Sequence, residues 1–220
     1  MYRVLPLLDP AEIAECKRIA ASTPFVDGRI SNPHNLAKNN QQLHEPAAYQ
    51  KSSQLLMQAF ARSEEFREFA FPVLIAPPLI TRYTPGMHYG AHADAAFIQL
   101  SGATIRSDLS CTIFLNEPEQ YDGGALHIRL GDADLRFKLQ PGEAIVYPSD
   151  TLHEVEPVTK GERLVAISFI QCRVADPFRR NLLFDLNEIA ALEGLKMEPE
   201  NFTRLQLIQS QLLRHWGDRP

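Results

Sequence analysis

Two histidines, an aspartate and an arginine carry the chemistry that this sequence could do. The first two stand in His92-Ala93-Asp94; on a strand, where side chains repeat every second residue, both would face the same way. The pair says little alone, because with seven histidines in the chain an aspartate falls two residues downstream of one of them by chance in roughly a third of such sequences. His153, within Pro148-Ser149-Asp150-Thr151-Leu152-His153-Glu154-Val155, offers a third donor. Two imidazoles and one carboxylate on one side of a metal leave coordination positions open, an arrangement that suits non-haem Fe(II) centres activating oxygen.

Arg163 shares strand parity with Val165, Ile167 and Phe169, so it should turn with them into the core. A guanidinium there needs an anion. One partner is an internal Asp or Glu in a buried ion pair. The other is an anionic ligand, whose carboxylate a planar guanidinium grips through two parallel hydrogen bonds; the far carboxylate of 2-oxoglutarate is such a group.

Other candidates carry less. His88 and His92 are spaced like a zinc-binding helical pair, but Tyr89-Gly90-Ala91 between them lacks a catalytic glutamate and Pro85-Gly86 argues against a helix. His127 alternates with Leu126 and Ile128 and falls beside Arg129 on the opposite face, where a solvated surface role is expected. His34 and His44 lie in a polar stretch, either against substrate or as ordinary loop residues. Neither a GxSxG serine nor a glycine-rich phosphate loop occurs, which leaves hydrolase and nucleotide-binding readings without support.

The elements that must position these residues are legible in outline. Asp9-Pro10-Ala11-Glu12 combines a side-chain cap, a first-turn proline and a carboxylate three residues after the cap, and Ile13, Cys16 and Ile19/Ala20 follow on one face. Residues 27–44 are polar and asparagine-rich, which predicts a long loop, with Arg29 and Lys38 on a segment that could close over a site. A second helix is expected from about Pro46 to Ala61, with Tyr49, Leu56, Met57 and Phe60 at helical spacing. From about residue 71, apolar alternations are punctuated by Pro85-Gly86, Gly123-Gly124, Gly131-Asp132, Pro141-Gly142 and Lys160-Gly161, the pattern of many short antiparallel strands in a sandwich or barrel. Helices follow from Asp176-Pro177 and from about Asn201. The expectation is an α+β chain, mainly β with helices flanking it on both sides. In a jelly roll (double-stranded β-helix, cupin-like), early and late strands become neighbours, so the His92 and His153 stretches could meet at one mouth.

With 220 residues, 45% hydrophobic and 22% charged, a single domain over 1–220 is expected: helical support and polar loop over 1–70, the β core over 71–175, and a helical extension over 176–220. The net charge of -5 provides no broad basic surface, so neither nucleic acid nor an anionic membrane is an expected partner. The N-terminal apolar run stops at Asp9, too short for a signal core, and no stretch approaches the roughly 20 apolar residues of a membrane span. A cytoplasmic location is expected. Cys16, Cys111 and Cys172, odd in number and widely spaced, read as small core residues in a reducing compartment.

Several stretches together resemble the prolyl/lysyl-hydroxylase-domain type of Fe(II)/2-oxoglutarate oxygenase, particularly its bacterial PKHD-type members. They are Arg82-Tyr83-Thr84-Pro85-Gly86, Tyr89-Gly90-Ala91-His92-Ala93-Asp94, Arg106-Ser107-Asp108-Leu109-Ser110, Tyr121-Asp122-Gly123-Gly124, and Leu152-His153 through Arg163, with Asp27-Gly28-Arg29, Lys38-Asn39-Asn40 and Arg179-Arg180-Asn181 outside the core. The resemblance implies Fe(2+) held by His92, Asp94 and His153, 2-oxoglutarate anchored by Arg163 with Tyr83 against it, O2 as oxidant, and L-ascorbate as a candidate reductant. It implies hydroxylation of an unactivated C–H bond of an amino acid, a peptidyl group or an iron-uptake metabolite, with succinate and CO2 released. Asp94 fills the position that halogenating relatives leave open. Phe114 departs from the pattern, standing where eukaryotic prolyl hydroxylases have a tyrosine. Two rival readings are a non-catalytic metal- or oxoacid-binding sensor on the same scaffold and a cupin-type metalloenzyme that uses no oxoacid. Partners are then a small-molecule or peptide substrate, with a homo-oligomer left open.

Overall fold

In the computed structural model, which describes residues 1–32 and 35–218, two antiparallel sheets face one another. The eight-stranded sheet runs in the order Arg3–Pro6, Glu143–Pro148, Leu109–Phe114, Arg163–Cys172, Leu79–Tyr83, Gln41–Leu43 and Phe25–Asp27, with Pro72–Ile75 pairing the far end of Arg163–Cys172. The five-stranded sheet runs Ala133–Phe137, Leu126–Leu130, Leu152–Val155, His88–His92 and Lys38–Asn39. This is the expected jelly roll. Strands distant in sequence are now neighbours, and His153 pairs with His92 across two adjacent strands.

Strand parity sorts the side chains into two cores. From Leu109–Phe114, Leu109, Cys111 and Ile113 join the helix-side core, whereas Phe114 joins the core between the sheets. From Arg163–Cys172, Leu164, Ala166 and Ile170 face the helices, whereas Val165 packs between the sheets. The period of two thus holds where it mattered for Arg163.

The helices cover the outer face of the larger sheet. α1 (Pro10–Ser22) begins with both halves of the expected capping box at Asp9 and Glu12 and buries Cys16, Ile19 and Ala20. α2 (Pro46–Arg62) buries Leu56, Ala59 and Phe60. A short helix absent from the sequence reading, α3 (Glu64–Ala70), follows at once because Ser63 ends α2 and its hydroxyl accepts from Phe66 N–H to start the next turn. α4 (Pro177–Glu193) and α5 (Pro199–Trp216) form the C-terminal hairpin. α1 to α4 all contribute to the helix-side core, so the helices that bracket the β region in sequence share one side of it in space. No helix among the described residues is long and apolar enough to cross a membrane.

The 27–44 stretch corrects the expectation of a plain loop. Lys38–Asn39 pairs with His88–His92 in one sheet, and Gln41–Leu43 pairs with Leu79–Tyr83 in the other. The segment therefore crosses from sheet to sheet as a strap. Its asparagines hid this, since polar residues suit an edge strand whose outer side meets water.

Candidate metal centre

His92, Asp94 and His153 converge, each offering one donor atom with all three atoms within 4.8 Å of one another. His92 ends its strand. Asp94 lies just beyond, so the two donors are not same-face residues of one strand as expected: the chain has left the ladder, and Asp94 is fixed by its N–H donating to Ser149 C=O at 3.2 Å. Its carboxylate accepts from Ser110 Oγ at 2.5 Å, and the Ser110 and Ser107 hydroxyls each lie 2.8 Å from Ser149 Oγ. Both serines belong to the Arg106–Ser110 motif, which thereby has a physical role.

The imidazoles are held in one tautomer. His92 Nδ1 lies 2.8 Å from Gly90 C=O and His153 Nδ1 lies 2.9 Å from Thr151 C=O. A carbonyl can only accept, so each Nδ1 carries a proton, and in the neutral ring this leaves the Nε2 lone pair for a metal. Those Nε2 atoms stand 3.9 and 3.6 Å from the two Asp94 oxygens. Burial, then the adjacent His153, pushes the His92 pKa down, which favours the neutral ligand form. Tyr89 stacks on His92 at 3.6 Å between ring centroids, and Tyr147 meets His153 edge-on at 5.3 Å. Two neutral imidazoles and a carboxylate fit a divalent metal such as Fe(II).

The cavity that these three donors line is also lined by Arg163 and Tyr83. Arg163 is 1% exposed. Among the described residues no carboxylate lies within ion-pair distance of it, which disposes of the internal ion pair, and its Nε has no hydrogen-bond partner. Its guanidinium sits 5.0 Å from the Tyr83 ring and 5.5 Å from that of Phe114. Tyr83 pairs with Arg163 across adjacent strands, and its hydroxyl accepts from Asn40 Nδ2 at 2.8 Å. Gly124 is required beside them: at φ +63, an added Cβ would lie 2.8 Å from Val158 Cγ2 and 3.2 Å from Arg163 Cδ.

A model of the 2OG-Fe(II) oxygenase superfamily matches residues 78–171. A PKHD-type hydroxylase of Sphingopyxis alaskensis is 62% identical over 216 residues, covering 98% of this chain and 99% of the relative. The chain belongs to the PKHD-type hydroxylase family. Another such hydroxylase, from Nitrobacter winogradskyi, is 39% identical over 218 residues, covering 96% of each chain. The fold of this PKHD-type hydroxylase is also that of a Pseudomonas putida prolyl-4-hydroxylase, with a TM-score of 0.53 at 22% identity over 78% of this chain and 92% of the other. It is a 2OG-Fe(II) oxygenase, and the family implies Fe(2+) and 2-oxoglutarate.

The site also holds Tyr89, Ser110, Tyr147 and Asn40, to which the sequence assigned no role, and Lys38, expected only on a segment that could close over a site, lines the cavity. All but Tyr147 fall in the motifs quoted above, and Tyr147 shares parity with Ile145 in its strand. His127 is the other correction. The hydroxylase buries it to 4% exposure, with Nδ1 3.0 Å from Glu154 Oε1 and Nε2 3.2 Å from Asp134 Oδ1. Alternation gave its face correctly, but long charged neighbours cover it there. His88 lies on a strand, not a helix, and His44 is exposed outside the cavity. His34 falls outside the described residues.

Proposed function

We propose that this hydroxylase oxidises an unactivated C–H bond of a small-molecule or peptide substrate while converting 2-oxoglutarate to succinate and CO2. His92, Asp94 and His153 hold Fe(II), and Arg163 with Tyr83 holds the far carboxylate of the oxoacid. One observation carries this reading: a fully buried guanidinium with no carboxylate at ion-pair distance among the described residues opens on the same cavity as the three metal donors. A charge so placed is costly unless a ligand completes it.

When bound, Fe(II) supplies the activation of dioxygen. The chain's residues do the rest. The Gly90 and Thr151 carbonyls keep both Nε2 lone pairs available, and Ser110 holds Asp94 in place. Arg163 presents parallel N–H groups to a carboxylate. Tyr83 already accepts from Asn40, so its own proton remains free to donate to that carboxylate. Leu126, Val155, Ile167 and Phe169 wall the cavity and exclude water from the reacting groups.

The test is anaerobic addition of Fe(II) and 2-oxoglutarate, followed by oxygen. A charge-transfer absorption on mixing and oxygen-dependent succinate formation, measured with and without ascorbate, are expected. A protein that binds metal and never consumes 2-oxoglutarate would sink the reading. Arg163→Ala should weaken 2-oxoglutarate binding by about 3–5 kcal/mol, the usual cost of stripping one partner from a buried charge pair.

A further inference from the structure

A second buried cation lines the cavity. Lys38 enters it from the five-stranded sheet, opposite in origin to Arg163 on the eight-stranded one. Its side chain is 7% exposed. Nζ donates to Ser31 Oγ at 2.7 Å and lies 5.7 Å from the centre of the Tyr89 ring, which itself stacks on His92. Among the described residues no carboxylate comes within ion-pair distance of Lys38. The two acidic groups whose charge it feels are both engaged elsewhere: Asp27 is held by Arg29, and Asp94 belongs to the metal donors.

The positions of the two cations differ in a way that separates their roles. Arg163 pairs with Tyr83 at one part of the cavity, whereas Lys38 pairs in register with Tyr89, on the strand that ends at His92. If Arg163 takes one end of the oxoacid, the charges of a divalent metal, Arg163, Asp94 and a dicarboxylate already balance. Lys38 is then left over, desolvated and beside the metal donors. A desolvated ammonium without a counter-charge is unfavourable unless an anion joins it.

We propose that Lys38 is the substrate-recognition cation: the substrate carries a carboxylate that pairs with Lys38 Nζ. This rests on the function proposed above and specifies the substrate's chemistry. The strap over residues 35–43 gives the subsite its rigidity. Asn35 Nδ2 donates to Tyr89 Oη at 3.2 Å, Gly90 N–H donates to Ala37 C=O at 3.0 Å, and Asn40 holds Tyr83. Gly90 lets this strap lie close, since a Cβ there would stand 3.0 Å from Ala37 Cβ. The same short segment thus fixes Lys38 for the substrate and touches the tyrosine beside the oxoacid anchor.

The experiment titrates the anaerobic Fe(II)/2-oxoglutarate protein with matched pairs of probes, free amino acids and short peptides against their C-terminal carboxamides. Perturbation of the charge-transfer band reports binding. Carboxylates should bind at least about tenfold more tightly than their amides, the scale set by removing one partner of a desolvated charge pair. Lys38→Met should erase that difference, Lys38→Arg should retain most of it, and 2-oxoglutarate should bind Lys38→Met within about threefold of wild type, well inside a 1.4 kcal/mol decade. Preference among single amino acids points to a small acid, and preference confined to peptides points to a chain terminus. Equal binding of acids and amides, no binding by any carboxylate, or an unaltered preference in Lys38→Met overturns the proposal. So does a large loss of 2-oxoglutarate affinity, which would make Lys38 a co-substrate anchor. The band in Lys38→Met shows that the variant is folded. Absence of the band in wild type refutes the oxoacid reading instead, so the two failures are told apart.

Discussion

At the residue scale, the centre depends on groups that are not themselves metal donors. Asp94 has no strand to hold it, and the Ser110 hydroxyl supplies the missing constraint. Ser110→Ala should therefore lower metal affinity about 10–100-fold, the range for losing a hydrogen bond that orients a ligand. Thermal unfolding of the metal-free protein should change little by comparison. Calorimetric metal titration checks this, and unchanged affinity would mean that the Ser149 backbone contact suffices to hold Asp94. The buried thiols take no part: burial pushes Cys16 and Cys172 up to about 12 and Cys111 higher still, which leaves them protonated and inert.

At the element scale, two junctions decide whether the parts meet. The first is the Gly123-Gly124 turn. Gly124→Ala forces a Cβ into Val158 and the Arg163 stem at a backbone angle that L-residues rarely adopt, with an expected cost of about 1–3 kcal/mol. Because Arg163 must shift, 2-oxoglutarate affinity should fall as well. Denaturant unfolding and ligand titration of the same variant check both, and lost stability with unchanged affinity would show the clash relieved through Val158 alone. The second junction joins α1 to α2, where Arg62 donates to the Glu12 carboxylate that also closes the α1 cap. The Arg62 hydrogen bond holds Glu12 below its ordinary value of 4.5. The native state then binds fewer protons than the unfolded state, so this stabilisation is complete above that value and is lost as pH falls through the lowered one. Arg62 is half exposed, which limits the pair to under about 1 kcal/mol. Arg62→Met should flatten that part of the acid-stability curve, and an unchanged curve would show that the pair contributes nothing measurable.

At the scale of the whole molecule, the ligands of the proposed site tie two sheets together. His92 and His153 stand on the five-stranded sheet, and Arg163 and Tyr83 stand on the eight-stranded one. Anything bound to both sets favours the folded state by mass action. At a hundredfold excess over Kd the gain is about 2.7 kcal/mol, or roughly 5–10 °C in Tm for a chain of this size. Fe(II) with 2-oxoglutarate under anaerobic conditions should produce that shift, and a chelator should reverse the metal's share. His153→Ala should lose the metal increment. Differential scanning fluorimetry reads all three, and no shift on ligand addition would count against a site shared by the two sheets.

The sequence by itself determined what obeys local rules. The α1 cap, the start of α2 at Pro46, the inward parity of Arg163 and the punctuation of a jelly roll follow from side-chain chemistry and strand period within a few residues. The donor types His92, Asp94 and His153 were legible for the same reason. Their convergence was expected only through the jelly-roll topology and the family resemblance, not from local rules: His153 and His92 lie 61 apart in sequence (153 − 92) and become neighbours because two distant strands pair. Exposure also escaped, as His127 shows, since parity gives a face but the covering side chains come from other strands. Lys38 shows it most clearly. In sequence it is one cation in a polar, asparagine-rich stretch; the tertiary structure buries it beside Tyr89 and the metal donors, because the strap's hydrogen bonds to both sheets come from elements far away along the chain.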